Sequence, residues 1–454
     1  MLKDKIYKDI KSGLRQLRLR INNKANNMNP RELAEKLVEI LAKSKSYKSV
    51  EVAGPGFINF KLSKSVYHKA LAEIVKAKKT FGSSDYGKGK KILLEYISAN
   101  PTGPLNVVSA RAGAYGDSLH RIMAFVGFDP FSEFYVNDAG NQVDILAESL
   151  EIRYRELHGD PLRLEGILEE ALSYLAEAHC TYEKDDAVWF SSSQFGDEKD
   201  RVLIKTDGNP TYLVPDIAYH LTKYQRGFDV MIDVLGPDHH GHVAKLKAAL
   251  IALEMEVDRL EVVYLQHINL LDNGEIIKMS KRTGKIITMD DLIDEVGKDA
   301  ARYFFLNRRP SAHLDFDMEL AKKKSSENPV YYCQYAHARI HSILKKAKKE
   351  KISLKDYDIK NLKKLDKPIE LDIIKKMLEL PSLLNACADH REPHRLAGYV
   401  HELAGMFHKY YAKYKIVDAD HKELSQSRMY LISAVKNVIA ISLDLMGISA
   451  PEKM

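Results

Sequence analysis

The stretch Ile92-Leu93-Leu94-Glu95-Tyr96-Ile97-Ser98-Ala99-Asn100-Pro101-Thr102-Gly103-Pro104-Leu105 joins a strand-like apolar run, Ile92 to Ile97, to a turn spanning Asn100 to Pro104. The residues from Leu105 to Val126 carry helical periodicity. The same order returns downstream. Val230 to Leu235 reads as a buried strand, Gly236 to His242 as a loop, Val243 to Leu253 as a helix and Leu260 to Leu265 as another strand. Strands alternating with helices imply an α/β fold on a doubly wound parallel sheet, where ligands bind beyond the carboxyl ends of the strands. Each of the two polar loops follows such an end.

Upstream, Asn29 to Lys43 has the form of a capped amphipathic helix. Asn29 can cap, Pro30 suits the first turn, Glu32 takes the third position, and Leu33, Leu37, Ile40 and Leu41 share a face. From Val50 to Leu62, Gly54-Pro55-Gly56 separates two short strand-like runs. Together these predict a small α+β N-terminal module over residues 1–86. From Ala321 onward the pattern is helical without strands, over Ser325 to Lys349, Glu370 to Asp389 and Arg395 to Lys413, which predicts an all-α bundle over 321–454. The sheet-bearing domain is then 87–320. The run Lys345-Lys346-Ala347-Lys348-Lys349 falls at a helix end, as a solvated face favoured by the helix dipole or as a contact for a polyanion.

With 454 residues and 45% apolar content, the chain calls for two or three domains with well-buried interiors. Its first residues are charged and lack the apolar core of a signal peptide, and Met429 to Met446 is interrupted by Lys436, Asn437 and Asp444, so a cytoplasmic protein is expected. Cys180, Cys333 and Cys387 have no paired spacing and predict neither a disulfide framework nor a cysteine zinc site. A net charge of +6 permits a polyanionic partner without requiring one.

The sharpest motif is Lys278-Met279-Ser280-Lys281-Arg282-Thr283-Gly284, a cationic loop after the second half of the sheet. Mobile cations there can grip the β- and γ-phosphates of ATP and stabilise departing pyrophosphate, with Lys281 foremost. Lys278 to Arg282 matches the KMSKR signature of class I aminoacyl-tRNA synthetases. The segments Asp290 to Arg302, Ser98 to Pro104, Tyr135 to Gln142, Asn328 to Tyr332 and Ser449 to Met454 resemble the arginyl-tRNA synthetases in particular. The resemblance covers nearly the whole chain. It implies a Rossmann-like catalytic domain, ATP-dependent ligation of L-arginine to tRNA(Arg) through an arginyl-adenylate, and Lys278, Ser280, Lys281, Asn106 and Ser109 as the catalytic set.

One departure stands at the family's HIGH motif, where this chain reads Asn106-Val107-Val108-Ser109. Losing one phosphate donor typically costs ~3 kcal/mol of transition-state stabilisation. Asn106 and Ser109 still offer neutral donors at the same spacing, aided by the positive end of the helix they open. An RNA-binding relative that does not charge is the competing reading, and a cysteine or glutamate synthetase on the same fold is a weaker one. Because a guanidinium is a planar fork of donors, an arginine pocket needs carboxylates. Glu95 and Asp216 are the two candidates, Asp216 lying one helical turn after Tyr212. By resemblance, Glu95, Tyr212 and Asp216 would hold the guanidinium, and Ser98, Asn100 and His239 the α-amino and carboxylate groups. Asp238-His239-His240-Gly241-His242 has residue types that suit zinc, but it lies in a loop at a strand end, for which the resemblance implies substrate and ribose contacts. The resemblance implies an ATP set of Gly103, Asn106, Ser109, Gly236, Asp238, His242 and Lys281, with Gly236 allowing close approach. Mg2+ should arrive with ATP, held by phosphates, and no metal held by the protein itself is expected.

For tRNA, Phe57 and Asn59 pair an aromatic with an amide two residues on, able to stack a base and read its edge, while Phe60 can equally fill the strand core. Tyr335, Tyr411 and Met454 are the candidates for the anticodon loop. A shortened insertion near 144–188 and a lean segment before Asn29 set this chain apart from longer family members. A monomer is expected.

Overall fold

The computed structural model describes residues 2–16, 29–99, 103–135, 167–277, 287–354 and 357–454. At the N-terminus, helices α1 (Leu2–Gln16) and α2 (Pro30–Leu41) pack on an antiparallel hairpin, β1 (Tyr47–Ala53) and β2 (Phe57–Leu62). Asn29 caps α2 by accepting from the Arg31 amide at 2.9 Å, with Pro30 in the first turn. Leu33, Leu37 and Leu41, four residues apart, close a small core with Leu14, Tyr47 and Val50. Gly56, at φ +136, turns the hairpin where a Cβ would stand 2.8 Å from the Pro30 carbonyl, so glycine is required there. Helix α3 (Lys64–Ala77) buries Leu71 and Ile74 in the large C-terminal core, and His68 meets the Leu365 carbonyl at 2.9 Å.

The central sheet takes β3 (Lys91–Glu95), then α4 (Val107–Phe125) and β4 (Asp129–Glu133). After α5 (Ile167–Glu177) comes a three-stranded antiparallel sheet, β5 (Thr181–Lys184), β6 (Ala187–Phe190) and β7 (Arg201–Ile204), which periodicity did not disclose. The chain returns through α6 (Leu213–Gln225), β8 (Val230–Leu235), α7 (His240–Ala252) and β9 (Leu260–Tyr264). The strand order is β4-β3-β8-β9, all parallel. Both faces are covered, which explains the nearly unbroken apolar strands. Ile92, Leu94, Ile232 and Val234 enter one core, whereas Leu93 and Met231 enter the other with Ile217, Leu221 and Ala249. The order reverses between β3 and β8, and such a switch point opens a crevice at the strand ends.

Beyond β9 lie β10 (Ile268–Asp272), β11 (Glu275–Ile276), α8 (Met289–Val296), α9 (Lys298–Leu306), β12 (Leu314–Asp317) and α10 (Met318–Lys322). The bundle comprises α11 (Pro329–Lys349), α12 (Pro368–Met377), α13 (Leu380–Asp389), α14 (His394–Lys413) and α15 (Lys422–Leu445). The helical pattern over Glu370 to Asp389 is carried by two helices, because Pro381 enters the first turn of α13 and cannot continue α12. Helices α11, α14 and α15 pack mutually, with Ile340, Phe407 and Ile439 fully buried. Among the described residues no helix is long and apolar enough to cross a membrane.

Candidate active site and RNA-facing surfaces

Glu95 closes β3 and stands directly opposite Asp233 of β8, both on the sheet face that carries Leu93 and Met231 and looks toward α6. Like charges directly opposed across strands repel. Here a buried lysine separates them. Lys223 Nζ donates to Glu95 Oε2 and, at 2.8 Å, to Asp233 Oδ1. Ser98 Oγ donates to the other Glu95 oxygen at 2.6 Å and accepts from the Tyr135 amide at 3.1 Å. His220 Nε2 meets Asp233 Oδ2 at 2.8 Å. Burial works against charge at both Lys223 and Asp233. Their mutual attraction prevails, so the ammonium pKa is raised and the Asp233 carboxyl pKa lowered. Glu95, His220 and Asp233 have the donor types of a metal site, but they converge on the Lys223 ammonium, whose charge opposes a cation.

Helix α6 aligns these groups. Asp216, His220 and Lys223 follow at spacings of four and three and so share a face, with Asp216 and Lys223 roughly 10 Å apart along the axis. Asp216, in the first turn, is paired with His242 and half-buried. Tyr212 precedes it by one turn and is 53% exposed. The two acids therefore address the same side of α6, Glu95 from β3 and Asp216 beside the start of α7. His242, expected in a loop, lies in the first turn of α7, which begins at His240. Asp238 and His239 stand exposed in a short 3-10 turn at the end of β8. Gly236 has extended backbone, and a Cβ there would meet only His239 at 4.0 Å, so the protein itself does not demand glycine.

At the neighbouring strand end, Asn106 caps α4, its Oδ1 accepting from the amides of Val108 at 2.9 Å and Ser109 at 3.1 Å. Those two helix-end amides are satisfied by the Asn106 carbonyl oxygen, and Ser109 Oγ lies 3.5 Å from the same atom, so that among the described residues the Asn106 amide group is the donor left for an anion. Gly103 lies in the open loop ahead. Asn100 and the residues Lys278, Ser280 and Lys281 fall outside the described residues. The stems of the cationic loop are described. Ile277 bonds back to the Leu270 carbonyl at 2.8 Å, and the Met289 amide donates to the Leu105 carbonyl at 2.8 Å beside an Asn106–Thr288 bridge. The returning stem is thus tied to the segment that opens α4.

On β2, Phe57 is 70% exposed and Asn59 points the same way, while Phe60 turns inward onto Tyr47 with ring centroids 5.1 Å apart. Tyr335 of α11 and Tyr411 of α14 come together around Arg339, whose guanidinium lies 5.0 Å and 5.6 Å from the two rings. Met454 is half exposed. Sequence reading missed Lys223, Asp233, His220 and Tyr219. An acid inside the apolar run Val230 to Leu235 was the available signal.

Models of three domain families match: the arginyl tRNA synthetase N terminal domain at 18–62, the class I (R) tRNA synthetase catalytic domain at 159–340 and the DALR anticodon binding domain at 333–454. Arginine–tRNA ligase 1 of Halalkalibacterium halodurans is 38% identical, covering 100% of this chain and 93% of that protein. The chain belongs to the arginyl-tRNA synthetase family. Arginine–tRNA ligase of Geobacillus thermodenitrificans is 42% identical to this synthetase over 94% of the chain and 89% of the relative. The Thermus thermophilus arginyl-tRNA synthetase structure shares its fold at a TM-score of 0.75, with both chains fully covered and 20% identity.

Proposed function

We propose that this synthetase joins L-arginine to tRNA(Arg) at the expense of ATP, with the switch point between β3 and β8 as the site of activation. In the first step the arginine carboxylate attacks the α-phosphate of ATP, forming arginyl-adenylate and releasing pyrophosphate. In the second a terminal ribose hydroxyl of the tRNA takes the arginyl group. The protein forms no covalent bond, so the rate comes from positioning and charge stabilisation. Asp216 and Glu95 hold the guanidinium, with Tyr212 beside them, and Ser98, Asn100 and His239 orient the α-amino and carboxylate groups. ATP lies across Gly103, Asn106 and Ser109 on one side and Gly236, Asp238 and His242 on the other. Lys278, Ser280 and Lys281 close on its phosphates, which bring Mg2+. The observation that carries this reading is that both acids address one side of α6 while the stem of the cationic loop is bonded to Leu105 at the neighbouring strand end.

Residues 1–86 offer Phe57 and Asn59 to an unpaired base, 87–320 carry the chemistry, and 321–454 offer Tyr335, Tyr411 and Met454 to the anticodon loop. The enzyme acts as a cytoplasmic monomer. The test is charging of purified tRNA(Arg) with labelled arginine and ATP. Arginyl-tRNA formation supports the reading, whereas tRNA binding without charging at saturating substrates favours an RNA-binding relative, the outcome that Asn106 and Ser109 leave open.

A further inference from the structure

We infer that Lys223 is a positioning residue for arginine recognition: bonded to Glu95 and Asp233 together, it balances their charges and fixes Glu95 in one orientation at the substrate site. The inference rests on the assignment of Glu95 to the guanidinium site. Lys223 is fully buried, spans two acids on adjacent strands, and has the face of Tyr219 4.5 Å from its ammonium. Tyr219 is held in turn, stacked on Tyr135 at 4.3 Å and donating to Glu133, which Arg226 also grips. The groups facing the cluster are therefore Glu95 from β3, Glu133 from β4, Asp233 from β8, and His220, Tyr219 and Arg226 around α6. Asp233 has His220 as a second partner, whereas among the described residues Glu95 has the neutral Ser98 hydroxyl besides Lys223.

Without the ammonium, Glu95 would be a buried carboxylate directly across from Asp233. Burial and a like charge both favour the protonated form. A protonated Glu95 presents no negative charge to a guanidinium, and its proton competes with arginine for the same oxygens. Lys223 thereby removes the pH dependence that the lone acid would add to arginine binding.

The decisive experiment is the arginine KM in aminoacylation between about pH 6.5 and 8.5, each variant being read as a ratio to native so that the titration of the substrate's own amino group cancels. The native profile is the reference, because His239, His242 and the substrate are common to every variant. In Lys223→Met, KM should be raised and should fall by up to about tenfold per pH unit as Glu95 ionises. Lys223→Arg should restore the native profile. A Lys223→Met KM that matches native, or is raised equally at every pH, overturns the inference. If Lys223→Met yields no folded protein, Lys223→Gln carries the test. Its amide can still donate to the acids but carries no positive charge, so the same pH-dependent rise in KM is expected, and a KM that follows native at every pH overturns the inference. Glu95→Gln separates the two levels. If it leaves the arginine KM unchanged, the guanidinium site itself is misassigned, whereas a raised KM in Glu95→Gln with a native pH profile in Lys223→Met defeats only the role of Lys223.

Discussion

Adding one methyl group at Gly116 should damage arginine recognition from the opposite side of the sheet. Gly116 lies in α4 beneath the ring of Tyr96, and a Cβ built there comes within 2.7 Å of Tyr96 Cδ2 and closer still to Cγ and Cδ1. Ordinary contact begins near 3.4 Å and Cγ is the closest ring atom, so the ring must retreat by about 1 Å. It has little room to do so, because its hydroxyl donates to Ser132 at 3.1 Å and the Tyr96 amide donates to the Glu133 carbonyl at 3.2 Å. The displacement passes to its chain neighbours. Glu95 precedes it, and Ile97, a β-branched residue at φ +66, already sits where such side chains rarely go. Overpacking of this kind costs about 1–3 kcal/mol of stability, and a shift near 1 Å in a positioning group costs on the order of 100-fold in rate. The assay is kcat/KM for arginine alongside thermal unfolding and tRNA affinity. Gly116→Ala should lower the first two and spare the third. Gly398→Ala in α14, where nothing lies within 4 Å of the new methyl group, serves as control and should be neutral or stabilising by up to about 1 kcal/mol. Native arginine kinetics in Gly116→Ala would refute the reasoning.

Three other outcomes are expected. Asp216→Ala removes the acid paired with His242 and should raise the arginine KM strongly while leaving tRNA affinity intact; an unchanged KM removes Asp216 from the pocket. Phe57→Ala deletes an exposed ring that no core needs, so tRNA affinity should fall by about 1–3 kcal/mol if a base stacks on it, with thermal stability unchanged. Asn106→Ala leaves the Val108 and Ser109 amides unsatisfied and should cost about 1 kcal/mol of stability in addition to any loss of charging rate, so unfolding and kinetics measured together separate the cap from the phosphate contact.

How far the sequence spoke depended on whether a feature is local. Strand-loop-helix order, the Asn29 cap and the outward pairing of Phe57 with Asn59 all follow from periodicity over a few residues, and each stands in the structure. The break at Pro381 was legible in principle, since proline cannot follow a helix interior, but the apolar pattern ran through it. The β5–β7 sheet was hidden because its strands are four residues each, too short for alternation to register. Lys223 was hidden for a different reason. Its partners are 128 and 10 residues away in the chain, and only the register of β3 against β8 makes Glu95 and Asp233 neighbours. Asp233 alone, an acid within an apolar run, could have pointed to a buried cation.

The most direct measurement is a structure of the enzyme with a non-hydrolysable arginyl-adenylate analogue. The guanidinium is predicted to lie between Asp216 and Glu95, with Lys223 still bound to the far oxygen of Glu95 and the phosphate mimic facing the start of α4. A guanidinium seated elsewhere, with either acid left facing solvent, would contradict the account.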